Sequence, residues 1–172
     1  MTEYEDMRPK IQTGDAILWK GEGLISKLIM LWTPYSHASL VVRLREYEGL
    51  KKRVFLVEAL NDGLELRLLS ERLKEAGKAY WLSVGMTTAE VSKSREHALV
   101  ECARAVPYDY ESLFKNIFSR VSNDARKYFC SEFVWINWIQ SGRIPPEKMK
   151  LAAPRPGDLS GLIGRVEKRI EI

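Results

Sequence analysis

The apolar positions of the chain come in short blocks, and the spacing inside each block predicts its element. Gly14-Asp15 punctuates the entry to AILW, a short strand. GEGLISKLIMLW has the apolar spacing of a short helix with one face turned inward. After the loop TPYS come HASLVVRL and KRVFLVEAL, whose β-branched centres predict two strands with EYEGL as the turn between them. LSERLKEAG predicts a short helix with Ser70 as N-cap and Gly77 as stop. AYWLSVG returns as a strand.

The longest helix follows. Thr87 and Glu90 have the spacing of a capping box, and Val91, Ala98, Cys102 and Ala105 fall along one face before Pro107 ends it. Asp109 is placed to cap a second helix bearing Leu113, Phe114, Ile117, Phe118 and Val121. SEFVWINWIQ is apolar on most sides and stops at Gly142, which predicts a buried central helix. From about Arg143 the chain carries Pro145, Pro146, Pro154 and Pro156, and this tail is expected to wrap over the surface. These elements add up to an α+β fold of one domain over 1–172, a small antiparallel sheet packed by helices on one side.

Composition narrows the setting. A chain of 172 residues with 45% hydrophobic side chains can bury a core without a disulfide or metal staple. Its two cysteines form no spaced framework and suit reduced thiols, so a cytoplasmic location is expected. MTEYEDMRPK has no apolar core of the kind a secretory signal needs. The longest apolar stretch, LISKLIMLW, is broken by Lys27 and is too short to span a bilayer, although it would suit peripheral contact with lipid. The net charge of +4 includes basic clusters such as Lys51–Arg53, but carboxylates are interleaved almost everywhere. No basic stripe alternates with aromatics, so a nucleic-acid partner is not expected.

The two cysteines differ in setting. Cys102 lies on the apolar stripe of its helix, where a free thiol acts as a small hydrophobe. Cys130, in YFCSEFVW, stands one step before the apolar segment. If that helix begins at Ser131, its unpaired N–H groups and macrodipole favour a thiolate at Cys130. An ordinary thiol, with a pKa of about 8.5, is only a few per cent ionised at neutral pH. A helix end contributes about 0.3–1 kcal/mol, less than one pKa unit, so activation needs a basic partner.

Only two histidines are present. His97 is predicted to point to solvent from the long helix. It and Glu101 have the spacing of a metal pair, but no third ligand accompanies them, so neither metal nor cofactor is expected. His37 opens a strand directly after an aromatic, proline-containing loop, which is how a functional side chain reaches a cleft edge. If 37–44 and 53–59 form an antiparallel hairpin turning near Tyr47-Glu48, His37 comes opposite Glu58 on one face of the sheet. Glu58 closes the apolar run VFLV, where a carboxylate can accept an imidazole N–H and fix its tautomer. Cys130, His37 and Glu58 thus make a candidate catalytic site, and Trp32, Tyr35 and Tyr108 are candidates to line its cleft.

The residues resemble a family. CSEFVW is similar to the cysteine-helix motif of the NlpC-type branch of papain-like hydrolases, which reads like FDCSGLV. Phe129 stands where that branch has aspartate, and Glu132 where it has glycine. The order histidine, acid, cysteine is that of the circularly permuted group that includes YiiX-like proteins and the lecithin retinol acyltransferases. GDAILWKG, SHASLVV, VEAL and PYDY follow in that group's succession, over roughly Gly14 to Gly142, and CSE resembles the YiiX-like members most. The resemblance implies a permuted papain-like fold and a cysteine peptidase or amidase acting on a small peptide, cell-wall fragment or acyl-amide. Cys130 would be the nucleophile and its backbone N–H an oxyanion donor, His37 the proton carrier and Glu58 its orienting acid. Two alternatives use the same residues: a lipid acyltransferase or thioesterase, and a binding module without turnover.

Overall fold

The computed structural model describes residues 3–22, 26–27, 30–31, 33–47, 49–60, 63–75, 77–104, 125–150, 154–162 and 165–170. In chain order the elements are α1 (Glu3–Met7), β1 (Ala16–Lys20), β2 (His37–Val42), β3 (Phe55–Leu60), β4 (Gly63–Leu68), α2 (Leu69–Arg72), β5 (Lys78–Ser83), α3 (Thr88–Ala103), α4 (Ala125–Gln140), a 3₁₀ turn (Pro146–Lys150), α5 (Leu159–Leu162) and β6 (Arg165–Ile170). The strands form one antiparallel sheet in the order β4-β3-β2-β1-β5-β6. The fold is the α+β arrangement expected. The helix expected from Asp109 lies outside the described residues. The one expected over GEGLISKLIMLW is described only at a few positions, of which Ser26, Lys27 and Met30 are helical.

Alternation along the strands builds two cores. Ala16, Leu18, Leu40, Val42, Val57 and Leu82 face α4, where Val134, Trp135, Trp138 and Ile139 meet them together with Ala98 of α3. Ile17, Trp19, Val41, Leu56, Ala79 and Trp81 face the other way and are covered by Tyr4 and Met7 of α1, Ile11 and Leu69. Helices on one side alone were expected, and α1 with its neighbours corrects this. The central strands AILW and SLVV are apolar at successive positions, so neither face of the sheet can be left in water.

Two strands and two helix boundaries also depart from expectation. GLELRL of β4 pairs with β3 from Leu60↔Gly63 to Phe55↔Leu68, and β6 continues the sheet beyond β5 from within the proline-rich tail. The tail is therefore partly structural: Ser131 Oγ–H donates to the Pro154 carbonyl at 2.7 Å, and Gly157 N–H donates to Thr33 Oγ1 at 3.0 Å. α2 takes Leu68, not Ser70, as its N-cap. α4 starts at Ala125, six residues ahead of Ser131.

α4 is fixed from several directions. At its end Gly142 takes φ +85° and donates to the Ile139 carbonyl at 3.0 Å, a left-handed exit that favours glycine. Asn137, fully buried, donates to the Ser94 carbonyl at 2.9 Å and accepts from Ser94 Oγ at 2.7 Å, locking α4 to α3. Trp138 Nε1 donates to the Gly14 carbonyl at 2.8 Å, tying the helix to the entry of β1. The Thr87–Glu90 capping box closes the start of α3. No helix among the described residues is long and apolar enough to cross a membrane.

Candidate active site

The site grows from the first residues of β2. β2 and β3 pair as Leu40↔Val57, Val41↔Leu56 and Val42↔Phe55. Carried to the start of β2, that register sets Glu58 opposite Ser39, so His37 is its diagonal neighbour and not, as expected, its direct partner. An imidazole spans the diagonal: His37 Nε2 lies 2.9 Å from Glu58 Oε1. Ser39 Oγ–H donates to the same oxygen at 2.7 Å and itself accepts the Trp19 indole N–H at 2.7 Å.

Glu58 sits within β3 and is fully buried. Burying a lone carboxylate is costly, and here its charge is compensated from all sides. Its Oε2 makes no hydrogen bond of its own but faces the Arg72 guanidinium at 3.3 Å and that of Arg67 at 3.5 Å. Arg72 also lies over the Trp19 ring at 4.5 Å, and both arginines pair with Glu75. Burial works to raise the carboxyl pKa and is the largest single influence. The His37 hydrogen bond and charge, the Ser39 hydroxyl and Arg72 together outweigh it and hold Glu58 at about 2.

Cys130 arrives from the other partner of β2, the helix α4. It is the sixth residue of a helix that begins at Ala125 and is 5% exposed. This corrects the expected position at a helix start. Its own N–H belongs to the helix interior, where backbone donors are already taken, and so is not a ready oxyanion donor; the dipole also weakens beyond the first turn. The histidine does the work instead. Burial pushes the thiol up most strongly, yet the His37 charge and hydrogen bond, with the backbone N–H groups of Ala38 and Ser131 directed at the sulfur, bring it below the ordinary thiol range. Reciprocally, burial disfavours a charged imidazole, but Cys130 and then Glu58 raise His37 to about 9. With Nε2 committed to Glu58, Nδ1 is the nitrogen left for the sulfur. The two shifts run in opposite directions, imidazole up and thiol down, and so favour a thiolate beside an imidazolium backed by a carboxylate.

The remaining candidates divide. Tyr35 is buried against Tyr80, with ring centroids 5.3 Å apart, whereas Trp32 and Tyr108 lie outside the described residues. Cys102 packs on the main core, and burial, with Glu101 beside it, pushes its thiol up to about 11. His97 does not simply face solvent: its Nδ1 lies 3.1 Å from Asn137 Nδ2 and its ring stacks on Phe133. Burial lowers its pKa. Glu132, two residues after Cys130, is buried and raised to about 7 by burial. Ser39, Trp19, Arg67 and Arg72 were not anticipated. The alternation of β2 does put Ser39 on the face of His37, and that signal could have found it. The arginines come from β4 and α2, whose placement against β3 no local pattern gives.

No protein-family profile matches the sequence. No curated protein matches it either. Among solved structures, YiiX of Escherichia coli O157:H7, described as a metalloprotein, matches with a TM-score of 0.55 and 24% identity over 77% of this chain and 67% of that one. At that identity the likeness is one of fold: the α+β architecture that carries His37, Glu58 and Cys130 is a YiiX-like fold.

Proposed function

We propose that the chain is a cysteine-dependent hydrolase of amide bonds, built as a circularly permuted papain-like domain. The observation that supports this reading is the hydrogen-bonded series Glu58–His37–Cys130, in which imidazole and thiol shift in opposite directions. Cys130 Sγ attacks the amide carbonyl. His37 gives its Nδ1 proton to the departing amine, leaving a thioester on Cys130. Neutral His37 then takes a proton from water, whose oxygen attacks the thioester, and keeps that proton as the acid departs and the Cys130 thiolate is released. Glu58 keeps the ring oriented and stabilises its charged form. Substrates in view are peptides, cell-wall fragments and acyl-amides. An acyl-enzyme can also be resolved by an amine or a thiol, which is the acyltransferase or thioesterase alternative.

The description of YiiX as a metalloprotein raises a metal centre as a second reading. The donor set argues against one here. Among the described residues no three His, Cys, Asp or Glu side chains gather as ligands. Glu58 already holds His37 Nε2 and is faced by two guanidinium groups, which would repel a cation.

Iodoacetamide near pH 6 tests the nucleophile. Cys130 is expected to be labelled long before Cys102, whose pKa of about 11 leaves about one part in 10⁵ as thiolate at that pH. Release of amine from a panel of short peptides and acyl-amino acids, absent in Cys130→Ala, tests the hydrolase. Equal labelling of the two thiols would sink the reading, and products made only from lipid esters or thioesters would move it to the alternative chemistry.

A further inference from the structure

A cationic cluster beside the site has no part in the chemistry above. β1 ends at Lys20, β5 begins at Lys78, and the two residues pair directly in the sheet. Directly opposed residues share a face, and like charges in that relation repel. The shared face is the one that carries α4, because Leu18 and Tyr80, the pair two positions back, pack in the cluster of Val134 and Trp138. The end of the sheet is also the one where β2 starts, since Trp19 pairs with His37. Hydrogen bonds bind the two stretches together: Ser36 N–H donates to the Trp19 carbonyl at 2.8 Å, and Gly21 N–H donates to Ser36 Oγ at 3.0 Å.

The Lys20 ammonium stands 5.5 Å from the Tyr35 ring centroid and 5.1 Å from that of Tyr80. Aromatic faces hold a cation in place without neutralising it. Among the described residues neither Lys20 nor Lys78 is paired with a carboxylate, although this surface has ion pairs elsewhere, such as Arg95–Glu46 and Arg155–Asp158. Two unneutralised ammonium groups, one of them held by two aromatic rings, make a receptor for an anion on the α4 face of the sheet end where β2 starts, whereas His37, paired with Trp19, shares the opposite face.

We propose that Lys20, with Lys78 beside it and Tyr35 and Tyr80 as its walls, binds a carboxylate of the substrate next to the bond that Cys130 attacks. This rests on Cys130 being the nucleophile, and it narrows the substrate class to amides that carry a free carboxylate near the scissile bond, as an acyl-amino acid or a peptide end does.

Paired electrophiles test the subsite. N-iodoacetylglycine and its amide differ by one carboxylate, and the ratio of their rates of Cys130 alkylation at neutral pH and low salt reads the preference for it. Lys20→Met is expected to lower the acid-to-amide ratio roughly tenfold, and Lys20→Arg to keep it near the wild-type value. Lys78→Gln should give a smaller fall in the same direction. Salt near 1 M, where the Debye length is about 3 Å, should carry the wild-type ratio toward that of Lys20→Met, a result that requires no variant to fold. A ratio unmoved by both the substitutions and salt overturns the subsite while leaving the nucleophile in place. Alkylation of Cys130 by the amide reagent no faster than that of Cys102 overturns the nucleophile, and the subsite falls with it.

Discussion

At the scale of single residues, the site is a set of charges that hold one another in place, and pH reads them out. The Glu58 carboxyl is at about 2 in the fold against 4.5 ordinarily. Its folded value is the lower one, so its contribution to stability is present above the ordinary value and is lost as pH falls from 4.5 toward 2. That contribution is on the order of 3 kcal/mol. Urea unfolding of wild type and Glu58→Gln should therefore show a gap at neutral pH that narrows near pH 3. His37 has the opposite sign: raised from 6.5 to about 9, it stabilises fully below 6.5, and the contribution is lost as pH rises through about 9. Cys130 alkylation in wild type should accordingly reach its plateau below the ordinary thiol range. In His37→Ala burial is opposed only by the Ala38 and Ser131 N–H groups, so the rise should move to higher pH than in wild type. On any amide that wild type cleaves, Cys130→Ser and His37→Ala should be nearly inactive. Glu58→Gln should lose about ten- to a hundredfold in kcat, because orientation survives while about 1.4–2.7 kcal/mol of charge stabilisation goes.

At the scale of elements, α4 presents Cys130, the proposed nucleophile, and its seat depends on polar groups inside the interface. Asn137→Ala strands the Ser94 hydroxyl in the core and removes a second hydrogen bond to the Ser94 carbonyl. A loss of about 2–4 kcal/mol is expected, seen as a lower urea midpoint with an unchanged slope. Much of the element pattern was legible because periodicity reports burial directly: β1, β2, β3, β5, the capped α3 and the glycine exit of α4 all follow from local residues. What escaped depended on distant partners. The alternating GLELRL of β4, introduced by Asn61-Asp62-Gly63, carries a hairpin signal of its own, while RVEKR of β6 reads as a solvated charge run until β5 is there to pair with it. The start of α4 is not marked by any local pattern, because ARKYF is polar at its beginning and gives no apolar stripe. The site was legible as three residue types in three settings. Its register and its arginine backing were not, because both are fixed by how β4 and α2 lie against β3.

At the scale of the whole molecule, the three site residues lie at positions 37, 58 and 130, and the sheet that bears the first two is complete through β5, at Ser83, before α4 begins at Ala125. Loss of rapid Cys130 labelling in urea should therefore coincide with the change in tryptophan fluorescence, and a thiol that stayed fast beyond that midpoint would break the link between reactivity and fold. The consequence reaches back to the growing chain. Until α4 docks, Cys130 is an ordinary, mostly protonated thiol, and His37 is an ordinary imidazole. Under the proposed function, reactivity is thus kept latent by topology alone: a nascent or misassembled chain has no activated thiol with which to attack its neighbours, and closing the core is what would arm the sulfur.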